Sequence, residues 1–199
     1  MTASGDLVAD LDGDGHADQV SDPSRTGARL TIAFGAVSGH RTQVGVRKLA
    51  GSPGDAQEDV LAAVADFNRD GWSDLFIVAT GAWRGDDPIN PSVSEMRLGP
   101  FSAAGRGQSV RHLDLGETRG IAVADYNHDH YPDLAAFVYA GDGVYETQAR
   151  LGSKATRLAS DSGKYTVEAD RTDDDTPSNM PHSGLSSFHP QCAANGSVV

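Results

Sequence analysis

The sequence predicts an all-β, propeller-like fold of about three four-stranded blades, and three observations carry that prediction. A nine-residue acidic motif recurs three times without gaps. Each copy follows a short apolar stretch that ends in Ala-Asp. Glycine is abundant, 23 of 199 residues, while aromatic residues make up only 7%. That mix suits short strands joined by tight turns better than helices.

The copies are Asp10-Leu-Asp-Gly-Asp-Gly-His-Ala-Asp18, Asp66-Phe-Asn-Arg-Asp-Gly-Trp-Ser-Asp74 and Asp125-Tyr-Asn-His-Asp-His-Tyr-Pro-Asp133. They start at 10, 66 and 125, so they lie 56 and 59 residues apart. A self-similar period of this length marks a repeat architecture. It has room for four strands of about five or six residues with their turns, and such a sheet, repeated radially, is a propeller blade.

The leading strands are Leu7 to Ala9, Val60 to Ala65 and Ile121 to Ala124. Val60 to Ala65 would also fit a helical turn by periodicity, but its β-branched content and the turns that bound it favour a strand. The second strands are Leu75 to Val78 and Leu134 to Tyr139, whereas the first repeat offers only Gln19 and Val20, a weak signal. Further along, each repeat has a strand-like segment ending in an apolar residue and glycine: Phe34-Gly35, Leu98-Gly99 and Leu151-Gly152.

A period of about 58 residues divides the chain into about 3.4 units, fewer than the four to eight blades of a closed propeller. The expectation is therefore an incomplete ring or a fragment. A degenerate fourth repeat is one reading of Val167 to Asp170 with Asp170 to Asp174, although Ser178 stands where the ninth-position Asp belongs. The other reading is a polar tail. Residues 1–170 are expected to hold the repeats, and 171–199 to form a polar, disordered tail.

The net charge of −12 argues against a nucleic-acid partner, because phosphate would be repelled. The single cysteine, Cys192, excludes an intrachain disulfide. No apolar run reaches the length of a membrane span. Residues 1–15 lack the basic start and apolar core of a signal peptide.

The repeated motif has the chemistry of a calcium loop. Calcium takes six to eight oxygen ligands in flexible geometry, and carboxylates suit it. A tight loop turns alternate side chains toward one centre. The candidate side-chain ligands are Asp10, Asp12, Asp14 and Asp18 in the first loop, Asp66, Asn68, Asp70 and Asp74 in the second, and Asp125, Asn127, Asp129 and Asp133 in the third. Backbone carbonyls of His16, Trp72 and Tyr131 would fill the seventh position. Up to three Ca2+ ions are thus expected. Gly15 and Gly71 sit where the backbone must bend sharply; the third loop has His130 there. A single Asp-Gly cluster would be only a turn, but three copies with one ligand spacing and matching apolar flanks are not explained that way. An EF-hand would need Glu at position twelve. Ser21, Ile77 and Ala136 stand there instead.

The loops, the Val-Ala-Asp that leads into them, the Tyr-Pro-Asp-Leu exit at Tyr131 to Leu134 and the Phe-Gly or Leu-Gly endings resemble FG-GAP/VCBS repeats. These are the blades of the integrin α-subunit propeller and of many exported bacterial proteins. The resemblance covers roughly residues 5–170. It implies calcium loops on one face of a propeller, an extracellular or cell-surface location, and roles in adhesion or ligand binding. Two features depart from the family pattern: His130 in place of glycine, and too few blades for an integrin-like ring.

Other features carry less. His128 and His130 have no third ligand at zinc spacing and read as variable loop residues. Arg84-Gly85-Asp86 is a short tripeptide that chance can supply. Trp83 is a candidate contact for a sugar or protein, and Trp72 a packing residue. No nucleophile elbow, phosphate loop, dinucleotide fingerprint or zinc-protease motif occurs. The leading functional expectation is a calcium-binding, non-catalytic module for extracellular binding, adhesion or scaffolding. Its partner would be a protein or glycan, with self-association through open blade edges. The alternatives are part of a secreted enzyme acting on polysaccharide or ester substrates, and a truncated fragment without independent function.

Overall fold

The computed structural model describes residues 6–24, 26–51, 58–82, 85–125, 127, 129–154, 157–159 and 167–169. It is nearly all β. Strands β1 (Leu7–Ala9), β2 (Asp18–Ser21), β3 (Thr31–Phe34) and β4 (Thr42–Gly45) form the first antiparallel sheet in sequence order. After a one-turn helix, α1 (Val46–Ala50), the second sheet follows: β5 (Asp59–Ala65), β6 (Asp74–Thr80), β7 (Val93–Arg97) and β8 (Val110–His112). The third has β9 (Glu117–Ala124), β10 (Asp133–Gly141), β11 (Val144–Arg150) and, after a small ribbon of β12 (Gly152–Ser153) and β13 (Arg157–Leu158), β14 (Val167–Ala169). These are the three four-stranded sheets expected from the repeat. In each, the nine-residue loop joins the first strand to the second.

The placement of β14 corrects one sequence-based reading. Val167 to Ala169 pairs antiparallel with β11, Val167 opposite Thr147 and Ala169 opposite Tyr145. It therefore completes the third sheet as its outermost strand. A strand leading into a fourth loop would have been the innermost strand of a new sheet. Residues 170–178, where that fourth loop would fall, and the expected tail at 171–199 lie outside the described residues, as do Trp83, Arg84 and His128.

Two apolar cores explain why the strand signals differ in strength. One core joins the first and second sheets and includes Leu7, Val20, Ile32 and Phe34 with Val60, Val64, Leu75 and Ile77. The other joins the second and third sheets and includes Leu61, Phe67, Phe76 and Val78 with Ile121, Val123, Leu134 and Val138. Successive residues of a strand point to opposite faces, so β5 and β6 feed both cores. They read as continuous apolar runs for the reason that doubly covered strands do. The first sheet buries one face only, and β2 alternates accordingly: Val20 enters the core while Gln19 turns away. Gln19 donates from Nε2 to Asp6 Oδ2 at 2.6 Å and accepts from Arg41 Nη1 at 2.9 Å. The outward side of the first sheet thus carries this polar network.

Helix α1 was not foreseen. Its five residues bury Val46, Leu49 and Ala50 against the first core, and Gly51 ends it at φ 82°, a left-handed cap that favours glycine. At the sheet ends remote from the loops, Arg119 of β9 ties the second and third sheets together. It pairs with Asp59 of β5 and with the fully buried Glu117, whose other oxygen accepts the Ile89 N–H at 2.9 Å.

Candidate metal centre

The first-position aspartate builds each loop by collecting backbone donors. Asp10 accepts from the N–H groups of Gly13 (2.8 Å) and Gly15 (2.9 Å). Asp66 accepts from Asp70 (3.1 Å) and Gly71 (3.0 Å), and Asp125 from Asp129 (3.1 Å) and His130 (3.0 Å). The fifth-position carboxylates of Asp14, Asp70 and Asp129 each accept the N–H two residues on, from His16, Trp72 and Tyr131, at 2.8 to 2.9 Å. These local side-chain bonds replace a backbone ladder and wind each loop back onto its first aspartate.

The winding needs left-handed backbone at two positions. At position six, Gly15, Gly71 and His130 have φ of 82°, 97° and 70°, as the sequence led us to expect. At position four, Gly13 has φ 77° and Arg69 has φ 55°, which the motif spacing did not reveal. His130 and Arg69 therefore carry a strain that glycine would not.

The ninth-position aspartates are buried brackets. Asp18, Asp74 and Asp133 are each 0% exposed. Asp18 accepts from Leu11 N–H and Gly35 N–H, both at 2.7 Å. Asp74 accepts from Phe67 N–H at 3.1 Å and Gly99 N–H at 2.9 Å, and Asp133 from Gly152 N–H at 2.7 Å. The glycine of each Phe-Gly or Leu-Gly ending thus clamps the loop of its own sheet. A side chain has no room there. A Cβ added to Gly35, Gly99 or Gly152 would sit 2.6, 2.1 or 2.1 Å from the carbonyl oxygen of Ala17, Ser73 or Pro132.

Electrostatics favour a cation. Burial raises the carboxyls of Asp12, Asp18 and Asp66 above the usual carboxylate range, and neighbouring loop carboxylates add to this. Burial pushes Asp74 furthest, to about 7; Asp70 and Asp66 push the same way, while the N–H groups of Gly99 and Phe67 oppose the shift. A positive ion at the centre would stabilise all these charges at once.

Of the sequence-predicted ligands, the structure converges one set most closely. Asp10, Asp12 and Asp18 each bring an oxygen within 4.8 Å of the others, the one such carboxylate trio among the described residues. In the second and third loops the asparagine stands in for the third carboxylate. There, Asn68 Nδ2 donates to Asp70 Oδ2 and Asn127 Nδ2 to Asp129 Oδ2, both at 2.9 Å. An amide donor thus already compensates part of the charge that a cation would meet. The donor set is all oxygen, hard and carboxylate-rich, which fits calcium and not a thiophilic metal.

Positions four and seven make contacts between loops; Trp72 was expected to pack against a neighbouring blade, whereas the contact of Arg69 was not foreseen. Arg69 of the second loop turns away from its own centre and places its guanidinium 5.4 Å from the ring centroid of Tyr131 in the third. Gly13 of the first loop faces the Trp72 ring of the second, 3.8 Å from where a Cβ would lie. Position four of one loop thus leans on position seven of the next. The signal was present in sequence as an aromatic ring, His16 imidazole included, at every seventh position, but nothing there showed what the rings touch.

A cleft of about 630 Å³ lies at the opposite sheet ends, lined by Asp59, Glu117, Arg119, Tyr139 and Tyr145 among others. Its buried Glu117 and half-buried Arg119 are spent on the tie between the second and third sheets.

Four-stranded antiparallel sheets, each with an acidic loop after its first strand and a glycine clamp after its third, define a class: blade repeats of propeller type. The third sheet is more specific. Residues 118–151 match the family model of the FG-GAP repeat, a segment that runs from β9 through the loop and β10 to the end of β11. Such repeats are typical of extracellular proteins. No curated protein matches the chain. No helix among the described residues is long and apolar enough to cross a membrane.

Proposed function

We propose that the chain is a calcium-stabilised, non-catalytic propeller-type module that serves extracellular binding, adhesion or scaffolding. The observation that supports this best is the convergence of Asp10, Asp12 and the buried Asp18. In this reading Asp10, Asp12, Asp14 and Asp18 hold one ion with the His16 carbonyl. Asp66, Asn68, Asp70 and Asp74 hold a second with the carbonyl of Trp72. Asp125, Asn127, Asp129 and Asp133 hold a third with that of Tyr131. Bound calcium supplies charge compensation, and the protein supplies loops already wound by their own backbone bonds. Extracellular calcium suits sites with dissociation constants near ~10⁻⁴–10⁻³ M. The ligand would be a protein or glycan, with self-association through blade edges.

Thermal melting tests the reading. Calcium at about 100 times its dissociation constant adds about 2.7 kcal/mol per site, which is roughly 5–10 °C for a chain of this length. Asp14→Ala should remove the share of the first loop. A melting temperature that is the same in chelator and in about 10 mM calcium defeats the proposal.

A further inference from the structure

We propose that the first two loops bind cations cooperatively, through a strut shared between them that consists of Trp72 and the Gly99–Phe101 segment. This rests on the reading that the loops bind calcium. The strut joins the two buried aspartates. Asp18 accepts the N–H of Leu11, and the Leu11 carbonyl accepts the N–H of Phe101 at 2.7 Å. Two residues before Phe101, Gly99 donates its N–H to Asp74. The second donor on Asp18 leads to the same place. Gly35 follows Phe34, whose ring meets the buried Phe101 ring edge-on, centroids 6.4 Å apart and planes at 90°. Both hydrogen bonds that fix Asp18 are therefore anchored on Phe101, and Phe101 is held two residues from the clamp on Asp74.

A second contact, through the Trp72 ring, is independent of that path. The Trp72 ring and Pro100 close over Gly13, 3.8 and 3.5 Å from the position of its absent Cβ. Trp72 is the seventh residue of the second loop, so its backbone is tied to that cation site while its ring rests on the first. The same relation recurs between Arg69 and Tyr131 one loop further on.

Close-packed contacts of this kind do not deform independently. An ion that draws Asp10, Asp12 and Asp18 together fixes Leu11, and with it Phe101, Pro100 and Gly99. The second loop then binds against a clamp that is already ordered. Coupling by shared ordering is reciprocal, each site changing the other by one factor, here about fivefold.

Trp72 is also the reporter. In a Trp83→Phe background it is the one remaining tryptophan, so its emission follows the second loop directly and the first through Gly13. Calcium alone is the titrant, with the full chain and calorimetry alongside. Asp14→Ala disables the first loop from an exposed position, and Asp70→Ala does so for the second. The expected result is that Asp14→Ala weakens the second loop about fivefold, and Asp70→Ala weakens the first by the same factor. Trp72→Ala, followed by calorimetry, should lower the cooperativity of the unmutated loops. If both aspartate variants leave the other loop's affinity unchanged while calcium still binds, the coupling is refuted and the calcium reading stands. If no variant and no parent chain binds calcium, both fall together.

Discussion

Asp74 makes the stability of the metal-free protein depend on pH in an unusual direction. Its carboxyl is raised from 3.8 to about 7, chiefly by burial. Between those values the folded chain holds one proton more than the unfolded chain. Stability is then greatest below the unfolded value and is lost as pH rises through about 7. Each pH unit in that window costs about 1.4 kcal/mol, so the whole span amounts to about 4 kcal/mol, on the order of 10 °C in melting temperature. Calcium should reverse the trend, because it favours the ionised carboxylate and competes with the proton. The assay is calorimetric unfolding of calcium-free protein from about pH 5 to about pH 8, with Asp74→Asn as the reference. Asparagine offers one acceptor oxygen to two backbone donors, so the variant should be less stable by about 1–3 kcal/mol. Its slope with pH should nevertheless be flatter, because asparagine does not titrate, while Asp12, Asp18 and Asp66 titrate in both proteins and largely cancel in the difference. If the difference between the two proteins is flat across this window, Asp74 is not the group described above.

Gly99→Ala and Gly152→Ala should each cost at least about 2–3 kcal/mol, since the new Cβ would meet a backbone carbonyl at 2.1 Å. Gly45→Ala, with nothing within 4 Å, should cost far less; urea unfolding that finds all three equal contradicts the clamp. His130→Gly should relieve strain on the order of 1 kcal/mol that the loop carries with or without an ion, and so raise stability by about that much. Urea unfolding that finds the variant no more stable would rule out the backbone argument.

Much of the fold was legible because the period and the strand pattern agreed. Val60 to Ala65 and Leu75 to Val78 announced themselves through doubly buried apolar runs. Gln19-Val20 looked weak because β2 buries one face and lends the other to a polar network with Asp6 and Arg41. What stayed hidden was anything that required knowing which blade lies beside which. Helix α1 is too short for periodicity to detect, and its apolar residues make sense only against the first core. Val167 to Ala169 imitates a leading strand, and only its pairing with β11 assigns it to the third sheet. The motif named fifteen candidate residues, all within the loops, yet gave no hint that Gly35, Gly99 and Gly152, far along the chain, hold the ninth-position aspartates in place.

That last point bears on what calcium would do in the proposed reading. A loop held by carboxylate contacts alone would fly apart without its ion. These loops are instead wound by backbone N–H groups on the first, fifth and ninth positions, and anchored through a glycine into the third strand of the same sheet. On the proposed reading these bonds shape each loop, and calcium would add order and stability to it and to its relation with the neighbouring loop. The loops differ in how much they gain. In the second and third, an asparagine amide already donates to the fifth-position carboxylate. In the first, Asp12 stands at that place and has no proton to give when ionised, so Asp14 Oδ2 has no protein donor among the described residues and its repulsion with Asp12 is left to solvent. The first loop is thus the one whose charge most requires a cation, and it is also the one whose buried aspartate connects, through Leu11 and Phe101, to the clamp on its neighbour.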